Sequence, residues 1–205
     1  MLYRRRVLPR SQGRWFDYGT PVHRYYGGSF VRAHAHEVRG RIVEFGRPDY
    51  KAYFDPARVE RYDVISTTAG EHVTIVADIQ MMPHVADASF DCIVCTQTLL
   101  LVPDPFRAAS EIHRVLAPGG LLLMTVPRVN LTAPRDGFPG DYWRFTEDSL
   151  RLLLAPFSEV AISVHGNPIA AFCAANRIAV EDASRADLDW TDPRFPLHVN
   201  VYARK

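Results

Sequence analysis

Residues 90–127 read FDCIVCTQTLLLVPDPFRAASEIHRVLAPGGLLLMTVP. The stretch opens on FDCIVCT, an apolar run of strand length starting at Phe90. It closes on LLLMTVP, a continuous apolar run of the kind found in a central strand buried on both faces. Between them, Asp104 is placed as an N-cap and Pro105 suits the first helical turn. Phe106, Ala109, Ile112 and Leu116 then fall on one face at helical spacing. Pro118-Gly119-Gly120 breaks that helix. Strand, helix and strand in this order predict one unit of an open, mainly parallel sheet.

The same alternation extends in both directions. Upstream, RIVEF after Gly40, VERYDVI from Val59 and VTIVAD from Val73 read as three more strands. Downstream, TEDSLRLLLAPF is a helix with Thr146 as N-cap and acidic residues in its first turn. EVAISVHG and PLHVNVYARK alternate with period two and suit a strand pair at one sheet edge. NPIAAFCAANRIAV, between those two, is helical and apolar. About seven strands result, in an α/β sheet wound on both faces. Ligands of such sheets sit outside the C-terminal strand ends, at the switch point of strand order. The first forty residues differ: WFDYGTPVHRYYGGSF is dense in aromatics and glycines and has no strand period. Residues 1–39 are therefore expected to form an aromatic, partly helical cap or lid, and residues 40–205 the ligand-binding domain.

With 205 residues, 47% hydrophobic and 23% charged, the chain has the composition of a globular domain able to bury a core without disulfides. A formal net charge of +1 points away from a nucleic-acid partner. Cys92 and Cys95 form a C-x-x-C, but strand alternation puts side chains three apart on opposite faces. No second cysteine pair completes a zinc site, so these are read as core residues. The basic start MLYRRRVLPR lacks an apolar segment behind it, and no run approaches the length of a membrane span. A cytoplasmic protein without a transmembrane segment is the expectation, and a homo-oligomer is compatible with it.

A sheet that binds a nucleoside needs a carboxylate at a strand end for the ribose hydroxyls, a tight turn near the ligand and a polar group for the base edge. Glu44, Asp63 and Asp78 are acids expected at three successive strand ends. Phe45-Gly46 lets the chain turn sharply after Glu44. Asp63 is expected to take the ribose diol, and Asp78 the exocyclic amine of adenine, with the Ile79 amide near the ring. Thr96 and Gln97, at the end of the fourth strand, are placed to face the remainder of such a ligand.

GRIVEFG, RYDV, VADI, SFDCIVCTQTL and EIHRVLAPGGLLLMTVP, in this order, resemble the motifs of class I S-adenosylmethionine (SAM)-dependent methyltransferases of the type 11-like group. The resemblance covers residues 40–157. DYWRFTEDSLRLLL, from Asp141, is similar to a YWRFT-bearing subset associated with sugar and cell-envelope biosynthesis. The resemblance implies a Rossmann-like, doubly wound, seven-stranded sheet with an antiparallel final strand, and SAM as cofactor. Two departures stand out. The family's loop after the first strand resembles G-x-G-x-G, whereas Gly46 is followed here by Arg47-Pro48-Asp49-Tyr50. Many relatives also carry Glu-His where this chain has Leu100-Leu101.

Transfer to a hydroxyl requires removal of its proton by a His or a carboxylate, or acidification by a metal. Asp136, Asp141 and Tyr142 lie on the loop after LLLMTVP, with Trp143 and Arg144. Asp136 and Asp141 could together hold Mg²⁺ through water. His23, in the aromatic N-terminal segment, is placed as a lid base, and His165, at a strand end before Gly166-Asn167, is a secondary candidate. His34 and His36 are split around a helix by their spacing of two, and His113 is a packing residue of its helix. The resulting expectation is a SAM-dependent O-methyltransferase acting on a sugar, oligosaccharide or polysaccharide precursor. The alternatives are O- or N-methylation of a small natural product and a non-catalytic methyltransferase-like binding or assembly protein.

Overall fold

The computed structural model describes residues 19–129 and 140–205. Seven strands form one sheet in the order β3-β2-β1-β4-β5-β7-β6. They are β1 (Gly40–Phe45), β2 (Val59–Ser66), β3 (Ile75–Val76), β4 (Phe90–Thr96), β5 (Leu116–Pro127), β6 (Glu159–His165) and β7 (His198–Arg204). β3, β2, β1, β4 and β5 run parallel, and β7 runs antiparallel to both β5 and β6. Strand order reverses between β1 and β4, so the crevice above those two ends is the topological switch point.

β5 is central because its 121–127 run offers apolar groups to both faces. Leu122, Met124 and Val126 join one core with Cys95, while Leu121 and Leu123 join the other with Cys92. The C-x-x-C is thus split across the sheet, and burial pushes both thiols up, Cys95 to about 12. The first face is covered by α2 (Pro105–Val115) and α3 (Glu147–Leu153). The α2 face is set by Ala108, Ala109, Ile112 and Val115. Phe106, expected on it, is 55% exposed, and Leu116 already belongs to β5. Asp104 caps α2 through the Arg107 N–H at 3.0 Å. Thr146 caps α3 in a reciprocal box with Ser149.

The second face is built differently. The β1–β2 connection contains only single 3-10 turns, Lys51–Tyr53 and Pro56–Arg58, and no α-helix. The cover comes instead from α1 (Val22–Ala33), from Tyr50 and from Phe54. The glycine-rich 27–28 segment, which showed no strand period, is a regular helix here. A Cβ at Gly27 would lie 3.4 Å from the Tyr50 hydroxyl and 3.6 Å from Thr125 Cγ2, so the missing side chain lets α1 settle close to the sheet. α4 (Pro168–Ala175) and α5 (Arg185–Asp189) close a third apolar cluster with Val22 and Tyr26. No helix among the described residues is long and apolar enough to cross a membrane.

Candidate active site

Gly46 follows β1 with a φ of +92°, the left-handed region that favours glycine, and a Cβ there would meet nothing within 4 Å. Its N–H bonds the Ile65 carbonyl at 2.8 Å. Backbone at the head of the crevice is therefore open to a ligand. The loop behind it is drawn back onto the strand by Glu44. That carboxylate is fully buried and accepts the Asp49 N–H at 3.0 Å, the Tyr50 N–H at 3.3 Å and the Tyr62 hydroxyl. Burial pushes Glu44 up to about 7, against the downward pull of these donors. Glu44, expected to face a cofactor, is thus engaged by its own chain. α1 adds a clamp from above, with Arg24 paired to Asp49 at 2.6 Å.

Asp63 is not at the end of β2. It pairs with Val43 inside the sheet, and the strand runs on to Ser66. Its carboxylate accepts from Arg61 Nε at 2.6 Å and from the Thr74 hydroxyl at 3.0 Å. The reading failed because Val64 and Ile65 continue the apolar pattern past the acid, and only pairing with β1 shows where the strand stops. Asp78 lies just beyond β3, exposed, with its Oδ1 accepting the Gln80 N–H at 2.9 Å, while Ile79 is buried. The Gln80 side-chain oxygen accepts the Asp104 N–H at 2.9 Å, which ties this turn to the start of α2. Thr96 ends β4, and Gln97 follows with a φ of +50°. Gln97 holds Thr125 twice, N–H to carbonyl at 2.8 Å and amide to hydroxyl at 3.3 Å.

A row of polar groups continues from Thr125 across the α1-facing side of the sheet. Asn200 pairs with Thr125 and with Ser163, and His198 pairs with Pro127 and with His165. Thr125, Asn200 and His198 are each at most 2% exposed. His198 Nε2 lies 2.8 Å from Asn200 Oδ1, and an amide oxygen there makes the imidazole nitrogen the donor. Tyr26 of α1 packs over the row, its ring centroid 5.6 Å from His165 and 5.8 Å from His198. Burial, with His23 and His165 nearby, pushes His198 down to about 3 despite the bond to Asn200, and burial also lowers His165. His198 and Asn200 were missed by the sequence reading. Their signal was the polar alternation in HVNVY, which in the sequence served only to place an edge strand pair.

The expected acceptor loop gives a mixed result. Asp136 lies outside the described residues. Asp141 is clasped by Arg144 through two bonds of 2.6 and 2.8 Å, which argues against a free base at that carboxylate. Tyr142 is 49% exposed, and its backbone N–H bonds the Leu100 carbonyl at 2.8 Å. Trp143 docks through its ring N–H on the Val102 carbonyl at 2.9 Å. Leu100 is therefore a core anchor for the DYW segment. His113 packs edge-on against Phe157, its centroid 5.1 Å away. Among the described residues no group of three or more His, Cys, Asp or Glu is placed to hold a metal ion.

Residues 54–124 match the model of the methyltransferase domain family. A SAM-dependent methyltransferase of Thermotoga maritima superposes with a TM-score of 0.56, at 17% identity over 89% of this chain and 93% of that one. This is a methyltransferase fold. The N-methyltransferase NodS of Bradyrhizobium japonicum, in complex with S-adenosyl-L-homocysteine, shares it with a TM-score of 0.54, at 15% identity over 90% and 88% of the two chains. In sequence, thiol S-methyltransferase TMT1B of Rattus norvegicus is 48% identical over 48 residues, 23% of this chain. The match spans 20% of that protein's length.

Proposed function

We propose that the chain is a SAM-dependent methyltransferase that binds SAM across the ends of β3, β2, β1 and β4 and methylates a hydroxyl of a sugar, oligosaccharide or polysaccharide precursor. The observation that carries the cofactor part is the open Gly46 backbone at the switch point, flanked by the exposed Asp78 carboxylate and by Thr96 and Gln97. These residues fit a nucleoside with a polar tail. Asp78 accepts the exocyclic amine of adenine beside buried Ile79, Phe45-Gly46 allows close backbone approach, and Thr96 and Gln97 line the methionine portion. When bound, SAM supplies an electrophilic methyl group. α1 acts as the roof of the site and residues 40–205 as the cofactor-binding domain, while residues 1–18 of the expected 1–39 cap lie outside the described residues.

The acceptor part draws support from the row running from Gln97 through Thr125 and Asn200 to His198 and His165. His165, partly exposed beside the β5 end and held toward its neutral form by burial, can accept the proton of a hydroxyl, whereas the Asp141 carboxylate is clasped by Arg144. His23, on the same roof helix, is one of the groups that keep His198 neutral and belongs to this set of bases. Tyr142, exposed at the mouth, offers an aromatic face to a sugar ring. Asp136 remains a candidate on the adjoining loop, and no step is assigned to Mg²⁺.

A second reading, a methyltransferase-like protein that binds without catalysis, is favoured by the short loop that Glu44 holds closed and by Tyr50 buried beneath α1. Radiolabelled methyl transfer from SAM to a panel of sugars, glycans, small natural-product phenols and amines, and thiols separates the readings. Label on sugars supports the proposal. Label on thiols or amines alone moves the acceptor class, and SAM binding without any label supports the second reading.

A further inference from the structure

The end of β2 lacks the acid that the sequence pattern suggested. β1 and β2 pair Phe45 with Ile65, the Gly46 N–H bonds the Ile65 carbonyl at 2.8 Å, and Ser66 is the next residue of β2. Ser66 in turn pairs with Val76, two residues before Asp78. Ser66 therefore stands level with the open turn at Gly46, between the backbone that a cofactor approaches and the carboxylate proposed for its base. Asp63 lies three residues back inside the sheet, held by Arg61 and Thr74. In dinucleotide-binding sheets of this kind an acid near this strand end binds the ribose hydroxyls.

On the reading that SAM is the cofactor, we infer that Ser66, at the end of β2 where the strand carries no acid, is the residue that contacts its ribose. A ribose diol presents two O–H donors. A carboxylate offers two oxygens and a full charge to them, whereas a serine offers one oxygen. That oxygen already lies 3.5 Å from the Thr68 N–H, at the outer limit of a hydrogen bond. Thr67 and Thr68 follow at once, and the nearest acids beyond Ser66 are Glu71, in the exposed β2–β3 loop, and Asp78. The site thus holds the ribose by neutral bonds and discriminates weakly between a ribonucleoside and its deoxy forms. Ser66 is partly exposed at a strand end, so a change there leaves the two cores intact.

Calorimetric titration of the full chain tests this with two probes, S-adenosylhomocysteine and its 2′,3′-dideoxyribose analogue. Ser66→Asp is expected to tighten the first by about tenfold, the difference between a charge-assisted and a neutral hydrogen bond, and to leave the second unchanged. Ser66→Ala is expected to weaken the first by about threefold and again spare the second. Asp63→Asn should alter neither affinity while lowering the melting temperature. Parallel changes for both probes at Ser66, no change for either, or a loss confined to Glu71→Gln would overturn the assignment. If the wild-type chain binds neither probe, the SAM reading falls with it. Binding of both probes with no selective response to Ser66 removes the ribose assignment alone.

Discussion

Each half of the sheet buries a titratable group displaced far from its ordinary value, with opposite consequences. In the β3-β2-β1 half, Glu44 is held by Asp49, Tyr50 and Tyr62 and lies at about 7. In the β5-β7-β6 half, His198 is held by Asn200 beneath Tyr26 and lies at about 3. Each group is displaced toward its neutral form because burial disfavours charge. The cofactor half uses its buried acid to shape a short loop in place of a crossover helix. The proposed acceptor half keeps the His198 imidazole unprotonated, fixed by its bond to Asn200 beneath α1. The same burial closes a loop on one side and keeps an imidazole neutral on the other.

The largest pH effect is expected at His198. Below its ordinary value of 6.5 the unfolded chain protonates this imidazole, and the folded chain does not until about pH 3. Its contribution to stability is therefore complete above pH 6.5 and is lost as pH falls toward 3. The size is about 4–5 kcal/mol. His198→Asn should flatten that part of the stability–pH curve in urea denaturation, and an unchanged slope would mean that the ring is not buried neutral. Glu44 runs the other way. The folded carboxyl binds its proton up to about pH 7 and the unfolded one only to its ordinary 4.5, so stability falls as pH rises between those values. The change is about 3 kcal/mol, and Glu44→Gln should abolish it.

Smaller effects sharpen the contrast between backbone and side-chain control. Gly46→Ala meets no steric obstacle, yet its φ of +92° imposes a left-handed backbone on alanine. A loss of about 1–2 kcal/mol is expected by chemical denaturation, together with weaker S-adenosylhomocysteine binding. A wild-type melting curve would show that the turn relaxes without glycine. Thr146→Ala removes the cap of α3, away from both buried groups. It should lower stability by about 1 kcal/mol and leave both pH slopes in place.

The fold was legible wherever a pattern was local. The 121–127 run marked a central strand, and the cysteine spacing separated Cys92 from Cys95 across the sheet. Asp104 and Thr146 announced their helices by capping chemistry alone. What escaped depended on distant partners. Asp63 resembled a terminal acid until its pairing with Val43 placed it inside the sheet. Phe106 kept helical register but points outward, because the core side of α2 is taken by Ala108 and Ala109. His198 and Asn200 alternate like solvent-facing residues, and nothing near them in sequence signals that an N-terminal helix returns to cover them. Glu44 was legible as a strand-end acid, but its capture by the Asp49 and Tyr50 amides was not, since that needs the tight turn at Gly46.

The central claim is a SAM site at the C-terminal ends of β1 to β4, and titration of S-adenosylhomocysteine into wild-type, Asp78→Ala and Asp63→Ala chains tests it most directly. Saturable binding with one ligand per chain is expected, weakened at least tenfold by Asp78→Ala and unchanged by Asp63→Ala, at roughly 1.4 kcal/mol per tenfold step. No binding by the wild type at millimolar ligand, or a loss at Asp63 with none at Asp78, would contradict it.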